Sequence, residues 1–246
     1  MKVIKLGGSI ITNKAKFGEF REENAKALSR VISDSGHEAI IIHGAGSFGH
    51  IKAMDYHLNV PGQIEGKTGK IAEVIGDVLT LNSLIVGTMI REGINAFSLP
   101  PHSIFPITDK DYELIDHLLR NRFVPVLYGD IIVSDGDYRI ISGDEIALEM
   151  AKKFSPEEVI FVTDVDGLFT SDPKKDKNAR LIGKVRAPEI DIGYGDIDAT
   201  GSMRGKVERI KEILKYTKKV LIVNGNYPDR LGKALRSEDT TGTVIT

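Results

Sequence analysis

Residues 43–50 read "HGAGSFGH" and follow directly on the apolar run "EAIII", Glu38–Ile42. An apolar run of this length that ends in glycines is how a strand buried on both faces passes into a turn. Glycine costs backbone entropy, so Gly44, Gly46 and Gly49 in such close succession predict that something approaches the backbone there. The same grammar recurs outward along the chain. "KVIKL" (Lys2–Leu6) reads as a buried strand that opens into "GGS". "NAFSLP", "FVPVLYGDIIV", "EEVIFVTDVDGLF" and "VLIVNGN" read as further strands. Between them, "EENAKALSRVISDSG", "KIAEVIGDVLTLNSLIVGTMIREG", "DYELIDHLLRN", "SGDEIALEMAKKF" and "GSMRGKVERIKEILKYTKK" carry helical spacing.

Buried strands alternating with amphipathic helices predict an α/β fold. The expected form is a three-layer α/β/α sandwich around a mostly parallel sheet. Ligands of such sheets sit at the carboxyl ends of the strands. The unusual sequences fall there: "GGS", "HGAGSFGH", "YGD", "TDVDG" and "NGN". The chain shows no internal repeat or interdomain linker; "TSDPKKDKNARL" (Thr170–Leu181) is the clearest loop. A single domain over 1–246 is expected, in two closely joined lobes that divide at about residue 150.

The 246 residues carry a formal charge of −2 with a pI near 6.3, which gives no support for a nucleic-acid surface. The absence of cysteine excludes disulfides and cysteine-ligated zinc. "MKVIKLGGSIIT" lacks a signal-peptide core, and no unbroken apolar run approaches the ~18 residues of a membrane helix. A soluble cytoplasmic protein without membrane partners is expected.

Each motif has a functional and a plain reading. Lys5 with Gly7, Gly8 and Ser9 suits an anion nest of backbone N–H groups beside a cation; the plain reading is a tight turn and a surface lysine. In "HGAGSFGH", His50 follows three glycines and is the better ligand candidate, whereas His43 closes a buried run and suits a structural role. "GAGSFG" fits G-x-G-x-x-G, but the region beyond it offers Glu65 and no strand, so a dinucleotide fold is disfavoured. "GSMRGKV" is one residue short of a Walker loop and has Val207 where a hydroxyl is required. Asp144 in "ISGDE" reads as a helix cap or as a carboxylate that orients lysines. Asp164, Asp166 and Asp172 lack calcium-loop spacing. Lys206, near a helix start, suits phosphate or plain solvation.

Taken in order, "KLGGS", the second glycine turn, "SGDE", "TDVDGLFTSDP" and "TGSMRGK" resemble the amino-acid kinase superfamily over nearly the whole chain. "HGAGSFGH" and the early "ITNK" look most like its isopentenyl phosphate kinase branch. That resemblance implies ATP-dependent conversion of isopentenyl phosphate to isopentenyl diphosphate in isoprenoid biosynthesis, with Mg²⁺ and a homodimer. It implies that Lys5, Leu6, Gly7, Gly8 and Ser9 hold the ATP phosphates, and that Lys14 stabilises the transferring group. Ala45 and Gly46 would belong to a turn shared by substrate and ATP, with Gly49 on the substrate side. His50 would hold the acceptor phosphate. Gly143 would lie near substrate, Asp144 would organise the lysines, Asp164 would contact nucleotide and Lys206 would meet its phosphates. Ser202 stands where the family usually has glycine and is kept as a nucleotide contact.

The implied chemistry is self-consistent. Phosphoryl transfer needs positioning and charge neutralisation more than covalent help. A monophosphate with a second pKa near ~6 is a dianionic nucleophile at neutral pH and needs no general base. An apolar pocket for the prenyl tail is expected on the long helix, at Leu79, Leu81, Leu84, Ile85 and Met89, for which simple core packing is the plain alternative. Rival readings are a fosfomycin-type or other small-acceptor kinase of the same fold, and a non-catalytic nucleotide-binding regulator. The joint presence of Lys5, Lys14, Asp144 and Lys206 argues against the regulator.

Overall fold

The computed structural model describes residues 1–171, 173, 176–192 and 201–246, with the backbone alone at 191–192 and 201–204. Asp172, Thr200 and the Ser202 side chain lie outside the described residues, so the expected nucleotide contact of Ser202 does too.

The first half of the chain runs β1 (Lys2–Leu6), α1 (Gly8–Ile11), α2 (Glu22–Ser35), β2 (Ala39–His43), α3 (Gly46–Asp55), β3 (Gly62–Gln63), α4 (Thr68–Arg91), β4 (Ala96–Ser98), α5 (Pro101–Ile104) and α6 (Asp109–Arg120). The second half runs β5 (Val124–Tyr128), β6 (Asp130–Ser134), β7 (Asp137–Ile141), α7 (Gly143–Phe154), β8 (Glu158–Thr163), β9 (Lys184–Val185), α8 (Glu189–Ile192), α9 (Gly201–Ile213), β10 (Val220–Asn224), α10 (Pro228–Leu235) and β11 (Thr243–Ile245).

The main sheet has eight strands in the order β4-β5-β2-β1-β8-β10-β11-β9. Its first six are parallel, and β11 turns back antiparallel to β10. Alternation along each strand feeds two separate cores, as a two-faced sheet requires. Val3, Ile40, Ile42, Val159 and Phe161 pack on one face with Ile115 of α6, Ile146 of α7 and Ile210 of α9. Ile4, Leu6, Ile41, Ile160 and Val162 pack on the other with Leu28 of α2, Leu81 of α4 and Leu231 of α10. This is the expected three-layer sandwich.

The helix signals were local and hold. Gly36 ends α2 at φ +62°, the left-handed conformation glycine tolerates. Ser142 caps α7 by accepting from the Glu145 N–H at 3.1 Å, so Asp144 is the helix's second residue and not its cap.

Three expectations are corrected. "FVPVLYGDIIV" is two strands in two sheets, because the chain leaves the main sheet at Gly129. There β6 pairs antiparallel with β7 in a second, three-stranded sheet. Asp135 and Gly136 both have positive φ (+55° and +82°), the Asp-Gly turn that matches hairpin twist. "HGAGSFGH" is a turn only at Gly44–Ala45 and then becomes α3. The 24-residue α4 is long and apolar enough to cross a membrane, with mean hydropathy 1.4. In this fold its Val74, Val78, Leu81, Ile85 and Met89 are buried against protein.

At the amino ends of the strands lies a buried charge network. Lys2 Nζ meets Glu158 Oε2 at 3.2 Å and donates to Leu235 O at 3.0 Å, at the end of α10. Lys219 meets Glu158 Oε1 at 2.8 Å. Glu158→Gln leaves the buried Lys2 ammonium without its anion and is expected to cost about 3–5 kcal/mol. Urea denaturation reads this; a loss below ~1 kcal/mol would show the network to be dispensable.

Candidate active site

Four turns at the carboxyl ends of the strands are tied to one another through the backbone. Gly7 N–H donates to Val162 O at 2.8 Å, Gly44 N–H to Leu6 O at 2.9 Å, Gly129 N–H to His43 O at 2.9 Å and Gly225 N–H to Thr163 O at 2.8 Å. Each strand end thereby fixes its neighbour. The two glycine-rich turns then touch directly. A Cβ on Gly8 would lie 2.7 Å from Gly46 N and Cα, and one on Gly44 would lie 2.7 Å from Gly8 N. The glycines of "GGS" and "HGAG" are thus required first by each other, because any side chain would part the turns. Thr12 locks the pair: its hydroxyl donates to Gly8 O at 2.8 Å and accepts from Ser47 N–H at 3.0 Å.

Three ammonium groups converge on these turns. Lys5 comes from the alternate face of β1 and meets Asp144 Oδ1 of α7 at 2.8 Å. Lys206 of α9 meets Asp144 Oδ2 at 2.5 Å, with its Nζ 4.8 Å from the Phe161 ring centroid. Burial by itself would raise the Asp144 carboxyl, but Lys5 and Lys206 outweigh it and hold it down at about 2. Burial, and then repulsion from Lys5, bring the Lys206 ammonium down to about 8 against the pull of Asp144. Lys14, on an exposed arm between α1 and α2, pairs with Asp164 at 2.8 Å. Asp164 lies below its ordinary value: burial opposes this, and its hydrogen bond and charge pairing with Lys14 prevail.

The two histidines divide as their positions suggested. His43 is fully buried, stacked 5.1 Å from Tyr128, with ring nitrogens 3.0 Å from Gly44 O and 3.2 Å from Asn82 Oδ1. Burial pushes it down to about 4, so it is a neutral structural group. His50, one turn into α3, faces the cleft. Removal from bulk water, then the charges of Lys5 and Lys14, hold its imidazole below the ordinary value.

Two adjoining cavities meet at these groups. The first, about 400 Å³, is lined by Ala45, Gly49, Gly129, Gly143 and Asp144, and by an apolar wall of Ala53, Val74, Val78, Ile131, Ile140 and Ile141. The second, about 390 Å³, is lined by Gly7, Gly8, Ser9, Lys14, Gly46, Ser47, Thr163 and Asp164. Lys5, Gly8, His50 and Lys206 line both. One cavity is therefore apolar at its far end, the other is cationic and rich in backbone N–H groups, and the boundary between them is positively charged.

Residues 1–224 match the model of the amino acid kinase family. The chain belongs to that family. Within the family it is 33% identical over its full length, and over all of the relative's, to isopentenyl phosphate kinase of Thermoplasma acidophilum. It is 35% identical to isopentenyl phosphate kinase of Methanothermobacter thermautotrophicus, over 100% of this chain and 99% of that one. A crystal structure of an isopentenyl phosphate kinase substrate complex superposes with a TM-score of 0.84 at 32% identity, covering 100% of this chain and 99% of its own.

The structure gathers nearly all the residues singled out from the sequence, and sorts them. Ala45, Gly49 and Gly143 line the apolar cavity; Gly7, Gly8, Ser9, Gly46, Lys14 and Asp164 line the cationic one. Leu6 lines neither: its side chain is in the core, and its carbonyl receives the Gly44 N–H. The expected tail-binding face of α4 is displaced by about two turns. Leu81, Ile85 and Met89 are buried in the core under the main sheet, Leu84 is exposed, and Val74 and Val78 wall the cavity. Also missed were Ile131 and Ile140 of the β6–β7 hairpin. The Asp-Gly pair between alternating segments was the available signal for that hairpin.

Gly8→Ala and Gly44→Ala are each expected to cost about 1–3 kcal/mol by forcing the turns apart. Each should also weaken ATP binding by roughly tenfold or more in calorimetry, since the cationic cavity is built on that contact. Gly69→Ala, on the exposed start of α4 with nothing within 4 Å of its Cβ, is the control and should be neutral or stabilising. Unchanged ATP affinity in both turn variants would sink the interpretation.

Proposed function

We propose that this protein transfers the γ-phosphoryl group of ATP to isopentenyl phosphate, forming isopentenyl diphosphate and ADP. The observation that carries the reading is the pair of cavities. A cationic, glycine-lined cavity suits a nucleotide's phosphates, an apolar-walled one suits a small prenyl tail, and they share Lys5, Gly8, His50 and Lys206. The full-length relatives named isopentenyl phosphate kinase support the same acceptor.

The arrangement accounts for the reaction without a general base. The acceptor dianion supplies the attacking oxygen; an O–P bond forms to the γ-phosphorus as the bond to the β–γ bridging oxygen breaks. Lys5, Lys14 and Lys206 neutralise charge moving towards the leaving ADP. Asp144, already ionised and gripping two lysines, orients them and takes no proton. His50 donates a hydrogen bond to the acceptor phosphate, whose charge favours the imidazolium form. Among the described residues no group of three or more His, Cys, Asp or Glu side chains is placed to hold a metal. Mg²⁺, brought with the nucleotide, would offset the charge of its phosphates. In this reading the lobe to about residue 150 frames the acceptor, and Thr163, Asp164 and Lys206 bring the nucleotide side. The protein would act in the cytoplasm as a homodimer; exposed Phe97 and Phe123, 5.8 Å apart beside the open β4 edge, support pairing.

ADP release with Mg-ATP and a panel of isopentenyl phosphate, fosfomycin, glutamate and UMP tests the acceptor. Isopentenyl phosphate is expected to lead, and His50→Ala to lower its kcat/KM by roughly 10²–10³-fold. Turnover led by another acceptor would keep the kinase and overturn the substrate.

The pH profile tests Lys206. Its ammonium is present below about 8 and lost above it, so kcat/KM for ATP should fall as pH rises through about 8. Bound phosphates favour the ammonium, so the limb in kcat should lie at higher pH. Lys206→Arg keeps its charge throughout and should remove the limb. A limb that persists near 8 in that variant assigns it to another group.

A further inference from the structure

The arm that carries Lys14 is braced within itself, by Asn13 Nδ2 donating to Glu19 Oε1 at 3.2 Å, Ala15 N–H to Asn13 Oδ1 at 3.1 Å and a Lys16–Glu19 ion pair, but it stands away from the body. Thr12 and Phe20 form an antiparallel bridge, Asn13 N–H donates to Glu19 O at 3.0 Å, and Gly18 turns the tip at φ +71°. Residues 14–18 are all exposed. The tip meets the body on two flanks. On one flank Lys14 pairs with Asp164. On the other, the Phe17 ring lies 6.3 Å from that of the buried Phe48, and Lys52 Nζ sits 4.6 Å from the Phe17 centroid.

Lys52 is itself held firmly. Glu73 and Asp77 of α4 each meet its Nζ at 2.6 Å, and Tyr56 donates to Glu73 at 2.7 Å. Hydrogen bonds donated to Asp77 and then to Glu73 raise the Lys52 ammonium above its ordinary value, so it stays charged over the working pH range. Glu73 and Asp77 directly precede Val74 and Val78, which wall the apolar cavity. The same turns of α4 thus face the acceptor on one side and hold Lys52 on the other.

This has a consequence for the transfer step. The phosphates of ATP compete with Asp164 for Lys14. Once Lys14 releases Asp164, the Phe17 contact still holds the tip of the arm against the body. We propose that Phe17 and Lys52 are positioning residues for phosphoryl transfer, tethering the Lys14 arm to the helix that walls the acceptor cavity. The proposal rests on the kinase reading above and adds to it that the two cavities are mechanically linked through the Lys52–Phe17 stack.

The test is epistasis with Lys14. Phe17→Ala and Lys52→Met should each lower kcat about 10- to 100-fold, as a misplaced catalytic group does. KM for isopentenyl phosphate should stay within about twofold, because acceptor contacts are retained. Phe17→Tyr and Lys52→Arg, which keep ring and cation, should restore most of the rate. In a Lys14→Ala background neither loss should add anything further. An equal loss in that background, or a loss seen in KM, overturns the proposal. Amide hydrogen exchange supplies a readout independent of the acceptor: protection at Asn13 should fall in Phe17→Ala, and unchanged protection removes the tether. If the wild type fails to turn over isopentenyl phosphate, the kinase reading fails, and the exchange result still decides the tether.

Discussion

Gly8 meets Gly44 and Gly46 with backbone against backbone, and the rest of the site depends on that contact. It sets the separation between the ends of β1 and β2, from which Lys5 and α3 project. With the turns in contact, Gly8 lines both cavities. A group on either side then lies close to the same lysines, Lys5 and Lys206. Side chains at these positions would separate the donor and acceptor by the width of that side chain, and in-line transfer tolerates little added distance.

Such a site has an electrostatic cost. Lys5 and Lys206 repel each other in a poorly solvated cleft, and Lys206 shows it by its lowered pKa. Asp144 offsets this by meeting both ammonium groups, one at each oxygen. Asp164 does the same for Lys14. Asp144 thereby holds Lys5 and Lys206 in place in the absence of any phosphate. Preorganised charge of this kind needs little rearrangement as the transition state forms, which is where charge stabilisation contributes most.

The acceptor side is built by different means. Its apolar wall comes from three elements remote in sequence: Ala53 on α3, Val74 and Val78 on α4, and Ile131, Ile140 and Ile141 on the β6–β7 hairpin. They meet because the chain leaves the main sheet at Gly129, where Gly143 N and Ala45 N lie within 3.5 Å of any Cβ. The hairpin then folds over α3 and α4 around Tyr128 and Tyr138 as a third core of its own.

The sequence by itself determined the strands, most of the helices, the α/β class and the glycine turns at the strand ends. Those signals are local: an apolar run, a helical period, a glycine where the backbone must turn, and lysines beside such turns. Lys5, His50, Asp144 and Lys206 stood out beside such turns, and Lys14 only through the family resemblance of "ITNK"; the fold brings all five to the two cavities. Periodicity shows which residues are buried but not what they are buried against. Only the tertiary structure decided that Val74 and Val78, and not Leu81 or Ile85, face the acceptor cavity. It likewise split "FVPVLYGDIIV" between two sheets, drew Leu6 into the core and set Phe17 beneath Lys52. Each of these follows from contacts between segments far apart in the chain, whose pairing no local pattern records.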